Sequence, residues 1–132
     1  MANQRRLNLQ KFNISRARYD ELRGFCLQYN EWKQRLKELR ELSSAQYSNG
    51  GGKSGISNPT EKAAIKSIEY LNKIDLVEKA LKIAVGNEKN IYDEMLKNIT
   101  SGIKFEDLNI PMCRTDFYNS RTAFFVNLDK LL

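Results

Sequence analysis

Between Cys113 and Phe125 the chain reads CRTDFYNSRTAFF, and five of these side chains carry groups that can read nucleic-acid bases. A guanidinium such as that of Arg114 or Arg121 can donate two bonds to the major-groove edge of guanine, and a carboxamide such as that of Asn119 suits adenine. Thr115 and Tyr118 can hold a phosphate or meet a thymine methyl group. Arg114 and Tyr118 stand four apart, as do Tyr118 and Thr122, so a helix through this stretch gives them one face. Phe117, Phe124 and Leu128 then turn the other way, towards a core. Asp116 falls in the first turn, where its carboxylate complements the helix dipole.

Base contacts need phosphate contacts beside them, and the charge is placed unevenly. The chain carries a net charge of +6, which suits a polyanionic partner. Residues 1–42 hold ten Lys/Arg against five Asp/Glu, whereas residues 87–132 hold six against seven. Arg5, Arg6, Lys11, Arg16 and Arg18 all precede the first acid, Asp20. Together with Lys104 they are the candidate phosphate contacts. Affinity for DNA comes mainly from neutralised phosphates, so the near-neutral C-terminal part has to borrow its charge from the N-terminal segment.

Other chemistry is poorly provided for. The chain has no histidine, which removes Ser-His and Cys-His catalysis and most zinc sites. The run GGGKSG at 50–55 lacks the first glycine of a P-loop and follows no apolar strand, so it reads as a linker. Asp93–Glu94 and Glu106–Asp107 are adjacent acids, and neighbours on a helix point in different directions. Cys26 and Cys113 read as buried or half-buried thiols in a reducing compartment. No enzyme, metal site or cofactor is expected.

The elements that must position these groups are helical. Leu22, Phe25, Tyr29, Trp32, Leu36 and Leu39 recur in steps of three and four, which predicts one long helix from Ser15 to Leu42 with a packed seam. That seam is the expected dimer or partner face. A polar, glycine-rich loop over 43–58 follows, and Asn58, Pro59 and Glu61 signal a new helix start. The second long helix is expected over 59–85, with Ile65, Ile68, Leu71, Val77, Leu81 and Ala84 facing one way, Ile74 near the same stripe, and Gly86 as its stop. Two such helices joined by one loop suggest an antiparallel hairpin. Beyond it come a helix to about Thr100, a short helix at Phe105–Leu108, the turn NIPM and a final helix from Cys113. A three-helix unit with a tight turn before its last helix is a helix-turn-helix arrangement.

Several stretches together, YNEWKQRLKEL, ISNPTEKAAIK and IYDEMLKNITSGIKFEDLNIPMCRTDFYNSRTAFFVNL, resemble phage- and prophage-encoded transcriptional regulators of the RinA/ArpU type. The C-terminal part of those proteins is similar to region 4 of sigma factors. The resemblance spans about residues 20–130 in layout and is most specific at ISNPTEKA and FYNSRTAFF. It implies a DNA-binding activator of phage late genes and contact with RNA polymerase. Carried over by position, the recognition helix is 113–132, with Arg114, Thr115, Tyr118, Asn119 and Arg121 as its readers. NSRTAFF carries one arginine where the family's equivalent stretch is strongly basic.

The expectation is therefore an all-α chain. It comprises a basic arm over 1–14, a long helical hairpin over 15–86 and a helix-turn-helix-like unit over 87–132. Its expected partner is double-stranded DNA, read as a homodimer in the bacterial cytoplasm, with no membrane span. The alternative is a protein-interaction adaptor of RNA polymerase or of a mobile-element recombinase, with the aromatic seam of the first helix as its partner face.

Overall fold

The computed structural model describes residues 9–48 and 59–132. Among the described residues the chain is all-α, with five helices and two short 3-10 turns. Among these residues no helix is long and apolar enough to cross a membrane.

The described chain opens on a 3-10 turn, Gln10–Phe12, that is anchored on both sides. Leu9 and Ile14 are buried, and Ile14 N–H donates to the Leu9 carbonyl at 3.3 Å. Asn13 takes the left-handed conformation (φ 62°) that asparagine tolerates better than most side chains. Residues 9–14 thus belong to the packed body, although sequence placed them in the arm.

Ser15 accepts a hydrogen bond from Arg18 N–H at 3.1 Å and caps α1, Arg16–Leu27. The long helix expected from Ser15 is broken at Gln28. There the backbone N–H turns to the Phe25 carbonyl three residues back, a tightening that bends a helix. α2 runs on from Tyr29 to Ser48, so helix occupies the first part of the stretch read as loop. Asn58 and the GGGKSG run lie outside the described residues.

α3, Pro59–Val85, is the longest helix and packs on both α2 and α5. The Tyr29 hydroxyl donates to Glu78 at 2.5 Å, the Lys73 ammonium stands 5.6 Å over the Trp32 ring, and Arg35 lies near Tyr70. As the α2 number rises the α3 number falls, so the two helices run antiparallel. Burial and the Glu78 bond raise the Tyr29 pKa, which keeps its hydroxyl protonated and donating.

This geometry corrects two readings. Leu22, Tyr29, Trp32 and Leu36 are buried within the chain and Phe25 packs edge-on to Trp32 at 4.8 Å, while Leu39 is half-buried. The aromatic seam is the chain's own core and is not available to a partner. On α3 the inward residues are Ile74, Val77, Ala80 and Leu81, whereas Ile65, Ile68 and Leu71 are exposed. α3 carries apolar residues on two sides, and periodicity alone cannot choose which side α2 covers.

α4, Lys89–Ser101, ends at Gly102, whose φ of 71° is the left-handed stop that favours glycine. The connection to α5 follows the expected order of a short helix and then a turn within NIPM. It is a three-residue 3-10 turn, Phe105–Asp107, followed by a bend at Ile110–Met112 around Pro111. α5 spans Arg114–Leu131, with Cys113 as its N-cap residue but no side-chain cap bond. Its buried residues Phe117, Phe124, Phe125 and Leu128 complete the core with Met95 and Ile99 of α4.

Candidate nucleic-acid interface

α5 presents two faces with opposite fates. Phe117, Arg121, Phe124, Phe125 and Leu128 form the inward stripe, and Thr115 and Asn119 are exposed on the other side. Tyr118 lies between, half-buried with its ring edge-on to Phe117 at 5.1 Å. Its carbonyl accepts the Thr122 hydroxyl at 2.9 Å.

Arg121 does not join the readers. It is only 1% exposed. Its Nε donates to Asn98 Oδ1 at 2.9 Å, its Nη1 donates to the Tyr19 hydroxyl at 3.0 Å, and its guanidinium stacks 5.1 Å from the Phe125 ring centre. Asn98 in turn donates from Nδ2 to the Ile103 carbonyl at 2.7 Å, which turns its oxygen towards Arg121. One side chain thereby ties α1, α4 and α5 together. Sequence reasoning chose Arg121 for its chemistry, but its position shows its place: Phe117, Arg121, Phe124 and Leu128 share one helical stripe.

Arg114 is exposed and forms an ion pair with Glu106, while its guanidinium lies 5.3 Å from the Phe105 ring centre. The bond from Arg114 holds the Glu106 carboxyl below its ordinary range. The pair is open to solvent on both sides, so it contributes little to stability.

The candidate phosphate contacts divide in the same way. Arg18 donates from Nε to Asp129 at 2.7 Å and links the start of α1 to the end of α5. Lys104 is half-buried beside the turn it precedes. Arg16 and Lys11 are exposed. Arg5 and Arg6 lie outside the described residues.

Lys11 stands next to the α5 face. An open groove of about 370 Å³ has Lys11 and Phe12 on one wall and Asn119, Thr122, Val126 and Asn127 on the other. The N-terminal turn and the polar side of α5, far apart in sequence, therefore form one surface. Sequence reasoning named Lys11 and Asn119 and put Thr122 on the face of Arg114 and Tyr118, but missed Asn127, which lies about two turns beyond Asn119 along the helix.

Neither cysteine has a disulfide partner. Burial pushes the Cys26 thiol up to about 12, so it stays protonated and inert. Cys113 is exposed, contrary to the expectation of a covered thiol, because it precedes the first turn of α5. Comparison with protein-family models, with curated proteins and with solved structures gives no match.

Proposed function

We propose that this chain is a sequence-specific, double-stranded DNA-binding transcriptional regulator, of the phage- or mobile-element-encoded kind that its sequence resembles. The observation that carries the reading is the groove in which Lys11 adjoins Asn119, Thr122 and Asn127. A cation beside the exposed Asn119 and the half-buried Thr122 and Asn127 is a combination that can hold a phosphate while base edges are read. The juxtaposition also supplies what the C-terminal part lacks by itself, since residues 87–132 carry one more acid than base.

In this reading Asn119, Thr115 and Arg114 face base edges, with Tyr118 at the margin. Lys11, Arg16 and the more N-terminal Arg5 and Arg6 meet phosphates. RNA polymerase is the second partner that the resemblance implies. Arg121 acts only by fixing the helix that carries the readers.

Replacing Arg114 and Asn119 together by alanine is expected to relax sequence preference at the contacted positions, by about 1–3 kcal/mol per lost base contact. Lys11→Ala is expected to weaken all DNA alike and to reduce the salt slope by about one. Selection from a random duplex pool with each variant checks both. A doubly substituted protein that retains the wild-type motif would show that α5 does not read the bases.

One observation favours the adaptor reading. Arg121 is interior and Arg114 is paired, so the exposed start of α5 is polar but weakly charged, as suits a protein partner. The same selection separates the two, since an adaptor enriches no motif.

A further inference from the structure

α3 carries a second apolar stripe that the fold leaves uncovered. Ile65, Ile68 and Ile83 are 54%, 57% and 58% exposed. With the exposed Asn72 and Lys79, and with Leu76, which is half-buried because one edge of it packs on the chain's own core, they follow one another in steps of three or four along a single side of the helix. The opposite side, through Tyr70, Ile74, Val77 and Leu81, is already occupied by the chain's own core.

The order of residues along this stripe determines what fits it. Turned end for end about Asn72, the stripe meets itself. Ile68 falls opposite Leu76, Ile65 opposite the methylene stem of Lys79, and Glu61 opposite Ile83 and beside Lys82. A two-fold interface demands such self-complementarity, because the same patch must serve both subunits. Glu61 near one end stands beside Lys82 of the other copy in an antiparallel pairing and would not in a parallel one. At the centre two Asn72 side chains meet across the axis, where a lone polar residue in an apolar seam fixes register.

From this we infer that α3 is the self-association surface of the protein, and that the partner on the stripe is a second copy of this chain, antiparallel about Asn72. The inference does not rest on the DNA reading. It also relocates the dimer contact from the α1–α2 seam, which is interior, to the far side of the hairpin.

Sedimentation equilibrium of the full chain tests it. The wild type is expected to be a dimer at about 50 µM, in the range of modest self-association. Ile68→Glu is expected to raise the dimer dissociation constant at least about a hundredfold. Because Ile68 is exposed in the single chain, the helicity and thermal midpoint of this variant at high dilution should stay as in the wild type. Glu61→Lys is expected to weaken the dimer roughly three- to tenfold, and adding Lys82→Glu to restore it. That charge exchange keeps the test decisive even if Ile68→Glu fails to fold. A wild type that stays monomeric at that concentration would overturn the inference. So would a dimer indifferent to Ile68→Glu, or a double charge exchange that restores nothing.

Discussion

Replacing Arg121 by alanine is expected to cost about 3–5 kcal/mol of stability, the range found when one member of a buried charged network is removed. For a domain of this size that lowers the thermal midpoint by roughly 10–15 °C. The cost has three physical parts. The Tyr19 hydroxyl and Asn98 Oδ1 lose their donor inside the protein, the guanidinium no longer packs on Phe125, and a cavity opens where α1, α4 and α5 meet. Arg121→Met refills most of the volume but none of the bonds, so it should still cost about 2 kcal/mol. Below its melting range the alanine variant should keep whatever sequence preference the wild type has, because Arg121 has no route to solvent. Chemical denaturation beside a selection experiment checks both halves. A variant of unchanged stability and altered preference would return Arg121 to the readers.

Trp32→Ala is the second large effect, at about 3–5 kcal/mol. Trp32 is buried, its ring meets Phe25 edge-on, and Lys73 of α3 lies over it. The loss should be independent of protein concentration, because the seam it belongs to faces α3 of the same chain. Were the seam a subunit interface, the variant would dissociate the assembly while leaving the single chain's unfolding transition in place. Denaturant unfolding at two concentrations, about a hundredfold apart, separates these outcomes.

These two residues also show where sequence reading succeeds and where it stops. The spacing of Leu22, Tyr29, Trp32 and Leu36 was enough to predict a buried helical seam, because apolar periodicity reports burial directly. It could not say what covers the seam, which depends on contacts distant in sequence. The bounds of α3 were legible from Pro59 and Gly86, two residues whose backbone preferences act locally. Its inward face was not, since Ile65, Ile68 and Ile83 carry as strong an apolar signal as Ile74, Val77 and Leu81. The break at Gln28 carries no glycine or proline to announce it. At the site, Asn119 and Thr115 were legible as exposed polar residues on a helix, whereas the chemistry of Arg121 outweighed its position in the stripe. Nothing local to Lys11 indicates that it stands beside Asn119; packing of Leu9 and Ile14 brings it there.

We propose that the N-terminal turn and the exposed face of α5 form one DNA-reading surface. The measurement that tests it most directly is selection of wild-type-bound duplexes from a random pool, with affinity for the selected site followed across salt. An enriched motif is expected, with a log–log salt slope of about −3 to −5, set by several phosphate contacts at roughly 0.9 each. A steep slope with no motif would contradict base reading and leave only a basic segment touching phosphates. Absence of binding at moderate salt would contradict the claim altogether.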